Sequence, residues 1–443
     1  MNVVRDVYER YGFEPLETPA FENIETLLGQ YGDEGGKLIF KILRRGEHEG
    51  TGEADLALRY DLTVPLSRVV AQYQHELPRF FKRYQIQPVW RADRPARGRF
   101  REFYQCDIDA MGSSSPVVEA EVLAAVTDVL RQLGFSEFSI RLNHRRVLTG
   151  LLLRCGIADV AHASALVAID KYEHIGREGV RSELLQRGVA DHAADGLLEA
   201  LYPSPRDGAA QSIQRDAAGV VAHLRALLAA DVPSVEAVDN LATIVALSAG
   251  TSAGRHLVVD PSLARGLSYY TGAIMEVAVA DLAGSLGGGG RYDNLVGTFL
   301  GRAVPACGFS LGLERILVVM AERGMFPDQV RCGSADVMVT LWDAASRADL
   351  LSLAGELRAS GLKVDVYPEA DKLGKQFKYA ATRRVPFVAV VGDEERSRGA
   401  VTIKNLETGA QQTVARGETA ATLLRSLGER RRSDDADSIP GKV

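Results

Sequence analysis

The chain has 443 residues, 46% hydrophobic and 25% charged, the balance of a soluble globular protein and a length that calls for two or three domains. Lys and Arg number 52 against 58 Asp and Glu, a formal net charge of -6, which argues against indiscriminate duplex binding but allows a polynucleotide on a local basic face. No apolar run approaches the roughly 20 residues of a membrane span, the start MNVVRDVYERYG has no signal-peptide h-region, and four scattered cysteines suit neither a disulfide framework nor a structural zinc site, so a cytoplasmic protein with no membrane partner is expected.

In chain order, residues 1–12 form part of a helix, and FEPLETPAFEN, with two prolines, an extended and turn-punctuated strand. GGKLIFKILRRG and ADLALRY are strand-like; DLTVPLSRVVAQYQHEL opens a helix with Asp61 and Thr63 near its start and Pro65 in the tolerated first turn. RFFKRYQIQPVWRAD and RGRFREFYQCDIDAMG alternate aromatic and charged residues around the turn-like RPARG, which predicts an antiparallel hairpin. One face of it is expected to be core and the other to present Arg91, Glu102, Gln105 and Asp109. Residues 115–133 have helical spacing, FSEFSIRLNH alternates as a strand, and alanine- and leucine-rich helix dominates from Arg145 to about Gly250. Strands resume at HLVVDPSLARGLSYYTGAIMEVAV, cross GGGGRYDNLVG and end in the strand-to-helix passage CGFSLGLERIL. After GMFPDQ, strands alternate with one-sided helices, an α/β domain of about 90 residues. RRRSDDADSIPGKV has no apolar period and is expected to be disordered. The domain reading is 1–150 and 251–325 for one strand-rich domain, 151–250 for a helical insertion, 326–334 for a linker, 335–425 for the α/β domain and 426–443 for the tail.

Two segments carry polar residues that a buried strand would not choose without a ligand. Arg91, with Arg99 or Arg101, places donor forks on the hairpin, suited to a phosphate or carboxylate or else simply solvated. Gln105 and Asp109 follow Arg101 at even spacings, hence on one face. Asp61 either caps its helix or receives a ligand ammonium. Arg265, Tyr269 and Tyr270 occupy a predicted strand, so the two tyrosines should point to opposite faces unless the strand ends or bulges between them. Four successive glycines, residues 287–290, allow backbone to lie against a flat or charged ligand. Arg315 opens the helix after SLGLE and is either a surface residue or a phosphate clamp. There is no GxxxxGK[ST] loop, GGGGRYD does not open a helix as a dinucleotide fingerprint would, and the histidines lack HExxH spacing. His144 in LNHRR reads as a structural histidine.

Taken together, FEPLETPAFE, LRYDLTVP, VWRADRPARGRFREFYQCDID, LNHRRVL, ARGLSYYTG, GGGGRYDNLVG, CGFSLGLERIL, VDVYPEADKLGKQFKYA, VPFVAVVGDEE and VTIKNLETG resemble the histidyl-tRNA synthetases, class II aminoacyl-tRNA synthetases, over nearly the whole chain. DLTVP and FYQCDID look more like the archaeal and eukaryotic-type wording. The resemblance implies an α+β fold: a six-stranded antiparallel sheet flanked by helices, a helical insertion, a C-terminal α/β anticodon-binding domain and assembly as a homodimer. It implies attack of L-histidine on the α-phosphorus of ATP, with Mg2+, and transfer of the histidyl group to histidine tRNA. By position, Arg91 would hold the α-phosphate, with Arg99, Arg101 and Glu102 also on ATP, Arg315 the γ-phosphate end, and Arg265 the charge developing at the α-phosphate. Asp61, Thr63, Gln105 and Asp109 would receive or orient the ammonium; Tyr269, Tyr270, Gly288, Gly289, Gly290 and Tyr292 would enclose the imidazole. Lys372, Lys375, Gln376, Lys378, Arg383 and Arg384 are anticodon-binding candidates. An Arg265→Ala variant is expected to lose activation more than histidine binding.

Two departures from the family pattern stand out. Ser268 occupies a position where the family has aspartate, and Met1 falls inside the first helix, where an additional leading segment is expected. The competing expectation is a synthetase-like paralogue that senses histidine or tRNA, or an RNA-binding scaffold. Its signature would be tRNA binding without histidine-dependent use of ATP.

Overall fold

Valines and a tyrosine at helical spacing set the first element: α1, Asn2–Arg10, turns Val4, Val7 and Tyr8 into the core. The structure, a computed structural model, describes residues 1–28, 36–44, 46, 51–202, 217–264, 269–326 and 335–437. The chain divides into two units, Met1–Arg323 and Gly324–Val443.

In the first unit, β1 (Glu14–Pro15) is followed by β2 (Phe21–Asn23), β3 (Lys41–Leu43) and β4 (Ala54–Leu58), the last three forming a small antiparallel sheet in the order β2-β4-β3. Then come α2 (Thr63–Gln72), the long hairpin β5 (Phe81–Trp90) and β6 (Glu102–Met111), α3 (Val117–Gln132) and β7 (Ser139–His144). Among the described residues six helices follow before the next strand: α4 (Arg145–Arg154), α5 (Asp159–Asp170), α6 (Tyr172–Gln186), α7 (Asp191–Leu201), α8 (Ala217–Leu227) and α9 (Val232–Ser248). The helix α6 is interrupted at Gly176, whose φ of 65° an L side chain rarely adopts. β8 (Leu257–Val259), β9 (Ala273–Ala278), β10 (Ser285–Arg291), β11 (Ala306–Gly312) and α10 (Leu313–Glu322) complete the unit.

The large sheet runs β1-β5-β6-β11-β10-β9-β7-β8. Its six central strands are antiparallel, while β1 pairs with β5 and β8 with β7 in parallel. The sheet is therefore eight-stranded and mixed, wider than the six strands the family resemblance implied. The added edges are short segments that enter from α1 and α9 and lie alongside existing strands. Alternation along β6 sends Cys106, Ile108 and Ala110 to one side, where the Tyr8 hydroxyl donates to the Cys106 carbonyl at 3.1 Å. Gln105, Asp107 and Asp109 take the other side.

The second unit is a five-stranded sheet, β13-β12-β14-β15-β16, made from β12 (Val337–Val339), β13 (Val364–Val366), β14 (Phe387–Val390), β15 (Ala400–Asn405) and β16 (Gln411–Ala415). Its strands alternate between two apolar faces. Val337, Val339, Phe387 and Ala389 meet leucines of α11 (Arg347–Ala359) and α13 (Thr419–Asp437), while Met338 and Val388 meet α12 (Leu373–Thr382) through Ala380 and Phe377. The expectation of a disordered tail from residue 426 is corrected by α13, which continues to Asp437. Leu423 and Leu427 anchor that helix in the core, and it runs on through arginine, glutamate and alanine, residues of good helix propensity. Residues 438–443 lie outside the described residues.

Candidate active site

Strand pairing carries the polar face of β6 across the large sheet. Asp107 lies opposite Gln85 of β5 and Ser310 of β11, Ser310 opposite Gly288 of β10, Gly288 opposite Glu276 of β9, and Glu276 opposite Arg141 of β7. From Asp107 to Arg141 this row floors a cavity of about 440 Å³, a size suited to a small ligand. The glycine run makes the floor thin. A Cβ on Gly289 would lie 2.1 Å from the Gly308 carbonyl oxygen, and one on Gly290 would lie 2.5 Å from the Ala273 carbonyl oxygen and 3.0 Å from the Tyr270 ring. Only glycine lets β10 close against β11 and the tyrosines at this depth.

Cations gather where β5 ends and β6 begins. Arg91 follows β5 directly: its Nε donates to the Tyr60 carbonyl at 3.0 Å, and its guanidinium lies 4.2 Å from the Tyr60 ring centre and 5.2 Å from that of Phe103. Arg315, in the first turn of α10, donates from Nε to the Gly98 carbonyl at 3.1 Å and from Nη1 to the Ser285 carbonyl at 2.6 Å. Arg99 lines the same end of the cavity. Glu314 accepts from the Tyr104 backbone N–H with both carboxylate oxygens, at 3.0 and 2.9 Å, tying α10 to the start of β6.

Acceptors lie deeper. Asp61, two residues before α2, accepts the Val64 N–H of its first turn at 3.1 Å and lines the cavity. Gln105 donates from Nε2 to the Ser310 hydroxyl at 2.8 Å, and its Oε1 has no hydrogen-bond partner. Asp109 is held on both sides: it accepts from the Tyr292 hydroxyl and forms an ion pair at 2.9 Å with Arg83, both charged side chains being almost fully buried. Burial pushes the Asp107 carboxyl up to about 7, against the pull of Arg83, with Asp109 and Asp61 adding repulsion and Ser310 opposing. Asp109 is also raised by burial, restrained by Arg83 and Tyr292. The phenols of Tyr269 and Tyr292 are pushed well above their usual value by burial and stay neutral donors.

Several expectations change in three dimensions. Tyr269 and Tyr270 do not lie on a strand, since β9 starts only at Ala273; both line the cavity, with ring centres 5.0 Å apart. Glu102 is exposed and does not line the cavity, because an even-numbered position on β6 faces away from Gln105. Arg101 also stays outside, exposed, with Nε on the Asp93 carbonyl at 3.2 Å. Gly290 packs on Tyr270 behind the lining residues. Thr63, Gly288, Gly289 and Tyr292 line the cavity. Arg265 and Ser268 lie outside the described residues. In the second unit Gln376 is fully buried, donating to the carbonyls of Leu341 and Asp371 and accepting from the Leu341 N–H, so it is a core bracket rather than an anticodon reader. Lys372, Lys375, Lys378, Arg383 and Arg384 are exposed; Lys375 pairs with Asp371 at 2.7 Å and Arg383 with Asp365 at 3.2 Å.

The fold also adds residues that the sequence reading passed over. Asp107 shares the even spacing of Gln105 and Asp109 and was legible by parity alone. Arg141 bridges Asp260 at 2.7 Å and Glu276 at 3.3 Å on the cavity floor. Tyr172 and Tyr202, from the helical segment, stack at 3.6 Å and close one wall. Nothing in a run of alanine-rich helices marks two tyrosines thirty residues apart as partners. Among the described residues no group of three His, Cys, Asp or Glu could hold a metal ion.

Comparison with known proteins agrees with this geometry. The family described as Histidyl-tRNA synthetase matches residues 1–316, and that described as Anticodon binding domain matches residues 336–426. The chain is 38% identical over 439 residues to the histidine--tRNA ligase of Phocaeicola vulgatus, covering 95% of this chain and 94% of the relative. It is 39% identical over 443 residues to that of Porphyromonas gingivalis, covering 96% and 94%. The crystal structure of histidyl-tRNA synthetase from Nostoc sp. PCC 7120 is similar with a TM-score of 0.78 at 30% identity, over 96% of this chain and 94% of that one. Apo S. aureus histidyl-tRNA synthetase shares the fold, with a TM-score of 0.61 at 21% identity over 95% and 94%.

Proposed function

This chain belongs to the histidyl-tRNA synthetase family, and on that premise we propose how its cavity divides the work. The reaction is ATP-dependent formation of histidyl-adenylate followed by transfer of the histidyl group to histidine tRNA. A histidine carboxylate oxygen bonds to the α-phosphorus as the bond to the bridging oxygen breaks and pyrophosphate leaves. The tRNA 3' ribose hydroxyl then attacks the histidyl carbonyl and AMP departs.

The observation that carries the division is the polarity of the cavity along β6, arginines at the strand's start and acceptors further in. Arg91 holds the α-phosphate, Arg315 the γ-phosphate end of a bent ATP, and Arg99 lies beside them. The Arg91 guanidinium is already clamped by Tyr60 and Phe103 and loses little freedom when phosphate arrives. By its place in the family pattern Arg265 stabilises the charge developing at the α-phosphate. Asp61, Thr63 and Gln105 serve the ammonium, and Tyr269, Tyr270 and the glycine strand enclose the imidazole. Mg2+ enters with ATP as part of that substrate, and no step is routed through a protein metal site.

The homodimer and a cytoplasmic location belong to the same reading. Exposed Phe21 and Leu43 on the small sheet support an interface between copies, and no single helix among the described residues is long and apolar enough to cross a membrane. The relatives named above are bacterial and lend no support to an archaeal or eukaryotic-type origin for the DLTVP and FYQCDID wording. ATP–pyrophosphate exchange with and without L-histidine tests the reading: exchange that depends on histidine is expected, and exchange indifferent to histidine would overturn it.

A further inference from the structure

The connection from β5 to β6 ends in a tight turn whose two corner residues, Arg97 and Gly98, are each held by another part of the unit. Ala96 and Arg99 exchange both backbone hydrogen bonds, at 3.2 and 2.9 Å, and Gly98 takes a φ of 68°, so the chain reverses in two residues. The Gly98 carbonyl accepts from Arg315 Nε at 3.1 Å. The Arg97 guanidinium spreads over two partners: Nε donates to Glu322 Oε1 at 2.9 Å and Nη2 to Glu322 Oε2, while Nη1 and Nη2 both donate to the Asp281 carbonyl at 3.1 Å. The Asp281 carboxylate is in turn held by Arg323, with Nε at 2.8 Å. The turn is thereby pinned to both ends of α10, at Arg315 in its first turn and Glu322 in its last, about 10 Å apart along the helix, and to the connection between β9 and β10.

An arginine on a surface turn is ordinarily solvated, and a lone exposed ion pair contributes little. Arg97 instead sets its fork flat on a carboxylate 225 positions away and on a carbonyl 184 positions away, the arrangement for which a planar guanidinium is already organised. Arg99 leaves the same turn and lines the cavity, so whatever fixes the turn fixes Arg99. We propose that Arg97 is a positioning residue for ATP, a latch that with Glu322 and the Asp281 carbonyl sets the turn in place, and with it Arg99 and the Gly98 carbonyl that orients Arg315, before the nucleotide arrives. This deepens the ATP-dependent reading and rests on it. Arg97 and Glu322 are 49% and 45% exposed, so removing either leaves no buried charge and the fold is kept. Without the latch the turn samples open positions, and apparent ATP affinity falls with the fraction that is closed. Saturating ATP closes the turn again, so the chemical step keeps its rate. The acceptors deeper in the cavity do not touch the turn.

The test is a double-mutant cycle on the full-length protein with Arg97→Ala, Glu322→Ala and the two together. It is read by histidine-dependent ATP–pyrophosphate exchange across ATP concentration and by calorimetric histidine affinity without ATP. Arg97→Ala is expected to raise the KM for ATP about two- to fivefold, with kcat and histidine affinity unchanged. Glu322→Ala should raise it less, and the double variant should match Arg97→Ala alone, because one latch is lost in both. Arg97→Lys, a point charge without the fork, should fall between wild type and Arg97→Ala. An unchanged KM for ATP in Arg97→Ala overturns the proposal, and so do strictly additive effects of the pair. A parallel loss of histidine affinity would make Arg97 a general brace of the fold and overturns it as well. Wild-type exchange indifferent to histidine would sink the underlying reading instead, and equilibrium binding of ATP alone then judges the latch on the same terms.

Discussion

Arg291 grips Glu119 with two arms, Nε to Oε1 at 2.7 Å and Nη2 to Oε2 at 2.8 Å, and the two side chains are 8% and 0% exposed. The pair fastens the end of the glycine strand β10 to α3, one residue before Tyr292 and its bond to Asp109. Glu119→Ala would strand a guanidinium in the interior, and a loss of about 3–5 kcal/mol is expected, read by urea unfolding. Because Tyr292 moves with Arg291, the KM for histidine should rise as well. A variant of unchanged stability would show that water reaches the pair.

Arg91→Ala and Arg315→Ala should each slow pyrophosphate exchange by a factor of about 10²–10³, the cost of one donor to developing phosphoryl charge. Histidine affinity measured without ATP should hold within about threefold, since both arginines sit at the start of β6, away from the acceptors. A drop confined to histidine binding would reverse the polarity assigned to the cavity.

Gly290→Ala pushes a methyl group against the Ala273 carbonyl at 2.5 Å and the Tyr270 ring at 3.0 Å. The tighter contact is with backbone, so the start of β9 has to shift along with the Tyr270 ring, at a cost of about 1–3 kcal/mol or more. Steady-state kinetics should show this chiefly as a raised KM for histidine, with the KM for ATP little altered.

His144 caps α4 by accepting the Arg146 N–H at 3.1 Å, and burial, with Arg146 and Arg291 nearby, brings its imidazolium down to about 4. The unfolded chain then binds the proton more readily than the folded one. Stability from this group is present above the unfolded value near 6.5 and is lost as pH falls from there toward 4, on the order of 3 kcal/mol in all. His144→Asn keeps an acceptor at the cap and cannot titrate, so its urea midpoint should vary less than wild type between pH 7 and 4.5. Parallel pH profiles would refute the role.

In the second unit, Lys378→Ala should weaken charging through the KM for tRNA while leaving histidine-dependent pyrophosphate exchange intact. Gln376→Ala should do the reverse of a binding variant: it leaves the Leu341 N–H and carbonyl unpaired in the core and lowers stability by about 1–3 kcal/mol, seen as a lower unfolding midpoint. Aminoacylation kinetics beside thermal unfolding separates the two.

Sequence alone determined the element types and the chemical menu. Alternation in FKRYQIQPVW and EFYQCDIDAM specifies a hairpin with one wet face because a strand turns every second side chain the same way; strict parity would have joined Asp107 to Gln105 and Asp109 and separated Glu102, which the sequence reading grouped with them. The glycine run announced a close approach because no other residue leaves room for one. Only the tertiary structure decided which polar groups share a cavity and which are already satisfied. Non-local strand pairing brings Arg141, Glu276, Gly288, Ser310 and Asp107 into one row, and sets Asp109 between the Arg83 guanidinium and the Tyr292 hydroxyl. Gln376 likewise read as an exposed helix residue until Leu341 closed over it. Local pattern follows backbone geometry, whereas partner choice depends on contacts between residues distant in the chain, and those exist only after it has folded.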